Sequence, residues 1–216
     1  MTTTSRALFL ILSSISCFAG PGPGALHAAD DSSLMEGKRR TDRSIVLEAT
    51  IPAPPAEVFR LWTTVDGVKK FFAPEARIDA QIGGRYEMIF APGEDPDGSA
   101  HGTKGARILK LVPERELAFE WVAFAGDKTR GRSSPPYAPP AERDVRPLPT
   151  WVDLSFAPVA ENADRTLLRF AHYGFGSGER WAESHRWFTA VWKAVLDQLA
   201  AYCEKQRAAK PDHEPE

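Results

Sequence analysis

The C-terminal region contains a long amphipathic pattern that constrains the fold more than any other segment. From about Gly178 to Ala208, large apolar residues return at three- and four-residue steps, the spacing that places them on one face of an α-helix. They are Phe188, Val191, Trp192, Val195, Leu199 and Tyr202. A helix of this kind is stable when its apolar face lies on another layer. The rest of the chain must therefore supply a surface that receives this helix.

The segments before this helix have the pattern of strands and of two short helices. "SIVLEATI" predicts a first strand, because it is rich in β-branched residues. "PPAEVFRLW" and "VDGVKKFF" then predict two short helices, the first with proline near its start, where a missing N–H costs little. Further strand patterns follow, and Gly83 and Gly84 predict a turn that uses positive φ. This order indicates an α+β fold in which the long helix packs on a curved antiparallel sheet.

The N-terminus has the pattern of an export signal. Arg6 precedes the apolar run "ALFLILSSISCFAG", and small residues at Ala28 and Ala29 suit cleavage. We expect a signal peptide over 1–28, a linker over 29–43, one domain over 44–207 and a disordered tail over 208–216. The protein would then be periplasmic or secreted and, after processing, not an integral membrane protein; an uncleaved anchor is the alternative. Cleavage leaves Cys203 as the single cysteine, so no internal disulfide is expected.

Residues 125–149, "AGDKTRGRSSPPYAPPAERDVRPLP", form a proline-rich segment without apolar periodicity. The simplest interpretation is a long surface loop. A lid over a binding site is the alternative, because long ordered loops are often functional.

Five motifs in the same order give the chain a family resemblance: "IPAPPAEVFRLWT", "GGRYEM", "GARILKLVPERELAFEW", "TLLRFAHYGF" and "HRWFTAVWKAVLDQLAAYCE". Over about residues 44–206, the chain resembles the C-terminal domain of activators of heat-shock-protein-90 ATPase and their bacterial homologues, in the START-like (SRPBCC) superfamily. The resemblance implies the helix-grip fold. In that fold a seven-stranded antiparallel sheet wraps around the long C-terminal helix, two short helices follow the first strand, and a cavity lies between sheet and helix. Two departures stand out: the longer 125–149 segment and the export signal, so the co-chaperone activity is not transferred.

Because the resemblance implies a cavity, the aromatic residues around it are candidate ligand contacts. We expect a small apolar or amphipathic molecule to bind in the cavity, with no cofactor. The candidate residues lie on elements that flank this cavity: Trp62, Phe72, Tyr86, Met88, Phe90, Phe119, Trp121, Phe188 and Trp192. Phe59, Trp62, Phe71 and Phe72 are expected to close one end of it; plain core packing is the alternative for each of these rings.

Catalytic chemistry has weaker support in the sequence. The acid–base candidates are Asp153, Glu120, Glu87 and His172, which lie in strand patterns with apolar neighbours; His172 is also explained as a hydrogen-bonded strand histidine. No metal-binding spacing occurs, and a net charge of −2 gives no support for nucleic-acid binding. The alternatives to ligand binding are therefore a cyclase- or hydrolase-like enzyme, or a protein-interaction module that uses the proline-rich segment as its contact surface.

Overall fold

The computed structural model of the chain describes residues 43–122, 149–160 and 162–209. The predicted signal peptide, nearly all of the predicted linker, the proline-rich segment except its last residue and most of the predicted tail lie outside these ranges.

The described residues form seven strands and three helices. In chain order they are β1 (Ile45–Ile51), α1 (Pro55–Thr63), α2 (Val65–Phe71), β2 (Glu75–Ile78), β3 (Tyr86–Ile89), β4 (Ile108–Val112), β5 (Glu116–Val122), β6 (Pro149–Val159), β7 (Asn162–Tyr173) and α3 (Glu179–Ala209). The long helix α3 begins one residue after its predicted start. The α+β architecture with a large antiparallel sheet and a C-terminal helix confirms the coarse prediction.

The strands form one sheet of five and one of two, which corrects the prediction of a single seven-stranded sheet. The larger sheet has the order β1-β7-β6-β5-β4, and β2 pairs with β3; every pair is antiparallel. The regular pairing stops between β3 and β4, where Gly105 has a φ of +90° and β4 carries a register shift after Ile108. Backbone hydrogen bonds still cross this junction: Tyr86 N–H donates to the Ala106 carbonyl, and Ile108 N–H to the Gly84 carbonyl, each at 2.9 Å. The two sheets therefore make one irregular curved layer.

The two short helices are joined by a single residue that serves both of them. Thr64 follows α1, and its side-chain oxygen accepts a hydrogen bond from Gly67 N–H at 3.0 Å, which caps the start of α2. Gly67 also allows the helices to approach closely, because a Cβ at this position would lie 2.4 Å from the Leu61 carbonyl oxygen. The sharp turn between α1 and α2 thus depends on this glycine.

The helices cover one face of the curved layer, here called the inner face; the opposite side is the outer face. Helix α3 packs against β1 and α2, and α1 packs on β6 and β7. Strand alternation follows this arrangement: Leu117, Phe119 and Trp121 of β5 are buried on the inner face. The space between the sheet and the helices is therefore where the large side chains meet.

Candidate functional site

A continuous group of aromatic rings fills the space between the inner face and the helices. Neighbouring rings have centroid separations from 4.2 to 6.4 Å. We call this group the aromatic layer; its members are Trp62, Phe71, Phe72, Tyr86, Phe90, Phe119, Trp121, Phe170, Phe188 and Trp192. Eight of the nine residues proposed for ligand binding belong to it, and the ninth, Met88, is fully buried in the same core. The structure thus brings the predicted residues together, but their side chains pack on one another where the open cavity was predicted.

Trp192 of α3 lies at the centre of the layer and Phe90 at its margin. The Trp192 ring is 4.6 Å from Phe170, 4.8 Å from Trp121 and 5.6 Å from Phe72. Phe90 contacts Phe72 and Trp121, at 5.9 and 6.4 Å, and is only half-buried. The apolar layer therefore extends from the middle of the core to the surface.

The four aromatic residues within or directly after the short helices do not form one contact group. Trp62, Phe71 and Phe72 contact one another, with centroids 5.0 to 6.1 Å apart. Phe59 packs edge-on against Phe156 of β6 at 5.5 Å. Phe59 therefore has different ring contacts from the other three, because it projects from an earlier turn of α1.

Tyr86 joins the layer to α1 through its hydroxyl group. Its ring stacks on Phe119 at 4.2 Å, and its O–H donates to the backbone carbonyl of Trp62 at 2.8 Å. Burial raises the pKa of the phenol well above its ordinary value, so the hydroxyl stays protonated and remains a donor. Tyr86 thus fixes the end of α1 against the sheet.

His172 forms a chain of buried hydrogen bonds that runs from α3 into the sheet. The indole N–H of Trp192 donates to His172 Nδ1 at 3.0 Å, and His172 Nε2 lies 2.7 Å from Thr150 Oγ1. The Thr150 hydroxyl donates to the Trp121 carbonyl at 2.7 Å. Because an indole nitrogen only donates, Nδ1 must be the acceptor, and Nε2 then carries the proton that it donates to Thr150. The chain is consistent only with a neutral imidazole.

This arrangement determines what His172 can do chemically. Both of its ring nitrogens have partners, and burial lowers its pKa to about 3. An imidazole in this state holds its proton at Nε2 and has no free lone pair for a substrate. The geometry therefore favours the hydrogen-bonded strand histidine over the acid–base role.

Two other tryptophans of the layer have buried indole N–H groups without a hydrogen-bond partner among the described residues. Trp62 is 0% exposed and Trp121 is 3% exposed, and neither Nε1 atom has a hydrogen-bond partner among the described residues. Both rings contact Phe72, at 5.6 and 5.7 Å, and both contact Phe119, at 6.4 and 6.0 Å. The layer thus contains two buried donors that flank the same pair of phenylalanines.

The carboxylate candidates lie away from the aromatic layer. Asp153 alternates with the buried Val152 and Leu154, which places it on the outer face. There, partial burial raises its pKa, while the positive charge of Lys110 acts in the opposite direction.

The other two carboxylates are engaged by backbone donors. Glu120 also lies on the outer face and accepts a hydrogen bond from Arg107 N–H at 3.1 Å. Glu87 accepts from Gly105 N–H at 2.8 Å and lies 3.6 Å from the Arg77 guanidinium. Their contacts are those of structural groups that hold loops to strands.

Two hollows on the surface of the described residues lie away from the aromatic layer. Two adjoining surface hollows, of about 320 and 330 Å³, share Pro52 and Arg165 and lie beside the C-terminal end of α3. Cys203 lines the second hollow, yet it is 1% exposed, and burial together with the nearby Glu57 carboxylate raises the pKa of its thiol to about 12. None of the nine proposed ligand residues lines either hollow.

The described ranges contain neither a cluster of metal-binding side chains nor a helix able to span a membrane. They contain no group of three or more His, Cys, Asp or Glu side chains placed to hold a metal ion. Within the same ranges, every helix is too short or too polar to cross a bilayer.

Two residues of the site were missing from the sequence-based proposal. Phe170 could have been found by alternation, since it lies two residues before His172 on the same strand face. Thr150 could not, because its role depends on pairing opposite Trp121 of the adjacent strand β5, and nothing local to its sequence indicates that register.

Comparison with known proteins agrees with the architecture. The model of the activator of Hsp90 ATPase homolog 1-like proteins matches residues 52–204. The mouse "Activator of 90 kDa heat shock protein ATPase homolog 1" is 31% identical over 77 residues, which are 36% of this chain and 20% of that protein. The chain thus spans about a fifth of the length of this curated relative.

Solved structures show the same fold at low sequence identity. Protein MLL2253 of Mesorhizobium loti aligns with a TM-score of 0.53 at 14% identity, over 76% of this chain and 98% of that one. CalU16 of Micromonospora echinospora aligns at 0.50 and 19% identity, over 79% and 85%. The long matched range, the antiparallel sheet and the closing helix together show that the chain belongs to the family of activator of Hsp90 ATPase homolog 1-like proteins, with an SRPBCC-type fold.

Proposed function

We propose that the protein binds a small apolar or amphipathic molecule within the aromatic layer, in an exported form. The observation that carries the proposal is the continuity of the layer from the core centre at Trp192 to the half-buried Phe90. The layer therefore offers an apolar path from the surface to the centre of the core. Aromatic and aliphatic walls with a few polar groups are also what small-molecule sites have in common.

A ligand enters this site only by displacing side chains, because the rings already contact one another. Phe90 is the first ring on the path, and Phe72 lies behind it at 5.9 Å. Turning both rings aside exposes Trp121 and Trp192, which lie 5.7 and 5.6 Å from Phe72. The apolar surface of the ligand then replaces the contacts that the two phenylalanines lose. Burying this surface contributes a binding free energy of about 25 cal/mol for each Å² removed from water.

The enzyme alternative receives no support from this geometry. Asp153 and Glu120 lie on the outer face, and His172 has partners on both ring nitrogens. The interaction-module alternative rests on residues 125–149, of which only the last lies within the described ranges, so it stays a prediction.

The proposal is tested by titrating the purified domain with a fluorescent apolar probe, phenylnaphthylamine. We expect saturable binding of one probe per chain. Phe90→Ala should increase the association rate, because it removes the ring at the margin. Phe59→Ala is the matched control, since it also removes a half-buried phenylalanine, one that packs against Phe156. A linear, non-saturating signal from the unmodified domain would refute ligand binding.

A further inference from the structure

We infer that the ligand is a neutral molecule whose carbonyl or ether oxygens accept hydrogen bonds from the indole N–H groups of Trp62 and Trp121. This inference rests on the proposed function and adds the chemical class of the ligand. It starts from the two buried donors that have no acceptor among the described residues.

A buried N–H without an acceptor is unusual, and the same layer shows the ordinary solution. Most buried polar groups in proteins are hydrogen-bonded, because leaving one unpaired costs free energy. Trp192 follows this rule through His172 Nδ1. Trp62 and Trp121 do not, although both are also buried. A phenylalanine at either position would be smaller but would bury no unpaired donor, so each indole carries a polar cost that its ring contacts do not offset by hydrogen bonding.

The position of the two indoles points to one binding place. Each of them contacts both Phe72 and Phe119. Phe72 is also the ring behind the half-buried Phe90. A molecule that takes the place of Phe72 therefore lies between the two tryptophans, within reach of both rings.

The charge of the surroundings excludes an anion. Indole nitrogens only donate, so the ligand must supply the acceptor. Among the residues whose side-chain burial is described, the buried ones include no lysine or arginine, and the buried histidine beside the layer, His172, is held neutral by its hydrogen bonds. A carboxylate or phosphate would then be buried without a counter-charge, which is strongly unfavourable. A ketone, ester or ether oxygen on an apolar body avoids that cost.

The experiment uses two probes of the same shape, acetylnaphthalene and isopropenylnaphthalene substituted at the same carbon. They differ by a carbonyl oxygen in place of a methylene group. Dissociation constants are measured for the domain, for Trp62→Phe and for Trp121→Phe. We expect each substitution to weaken the ketone relative to the alkene by roughly 2- to 10-fold, the value of one hydrogen bond. Trp151→Phe, on the outer face beside Tyr173, is the control and should leave this ratio unchanged.

A second measurement avoids dependence on the folding of the variants. In the unmodified domain, proton–nitrogen spectra of the indole groups should show the Trp62 and Trp121 N–H signals moving to lower field with the ketone and not with the alkene. If both probes bind and neither the ratio nor these signals respond to the oxygen, the acceptor inference is wrong and ligand binding stands. If neither probe binds, both proposals fail. Indole signals that already have hydrogen-bonded shifts without any probe also overturn the inference.

Discussion

The buried hydrogen-bond chain through His172 predicts how the stability of the domain depends on pH. Burial lowers the pKa of His172 to about 3, against an ordinary value of 6.5 that it regains in the unfolded chain. Between those values the unfolded state binds a proton that the folded state excludes. The contribution to stability is therefore complete above the unfolded pKa and decreases as pH falls towards the folded pKa.

The size of the effect follows from the gap between the two pKa values. Each pH unit in that range costs about 1.4 kcal/mol, so His172 alone should remove about 2 to 3 kcal/mol between pH 6.5 and pH 4.5. The side chain is fully buried, so solvent does not screen the cost. For a domain whose total stability is on the order of 5–15 kcal/mol, this loss is easily measured.

The assay is urea unfolding of the domain at several pH values, compared with two variants. His172→Asn keeps an oxygen that accepts from Trp192 but does not titrate, so its free energy of unfolding should fall less steeply with decreasing pH. Thr150→Val removes the partner of Nε2 and leaves the histidine in place; it should be less stable at every pH yet keep the slope of the unmodified domain. Carboxylates shared by all three proteins cancel in the comparison. Equal slopes for His172→Asn and the unmodified domain would refute the reasoning.

Two further predictions concern other buried polar contacts. Tyr86→Phe leaves the Trp62 carbonyl without its donor and should lower the free energy of unfolding by about 1–3 kcal/mol in urea titrations; an unchanged midpoint would contradict the role given to the hydroxyl. Asp95→Asn should cost about 1–3 kcal/mol, because the carboxylate accepts from three backbone N–H groups, those of Ser99, Ala100 and His101. Hydrogen exchange of these amides is the local readout, and protection equal to that of the unmodified domain would argue against it.

The sequence was sufficient for the parts of the fold that depend on local periodicity. The three- and four-residue spacing located α3, and period-two alternation put Phe119 and Trp121 on one face. It could not say whether Asp153 faced the layer or the opposite side, because both faces of β6 have apolar neighbours. The His172–Thr150 contact depends on strand register, which links residues 22 positions apart. The irregular junction at Gly105 depends on the positive φ of this residue, which the periodicity of the sequence does not predict.

The buried Cys203 thiol can be used to measure how often the C-terminal end of α3 opens. Alkylating reagents attack the thiolate, and a thiol with a pKa of about 12 and 1% exposure offers almost none near neutral pH. The Cys203 thiol is therefore modified only when the end of α3 moves away from the residues that bury it. In a chain whose Cys17 is replaced by serine, the rate of labelling therefore measures how often this end of α3 opens.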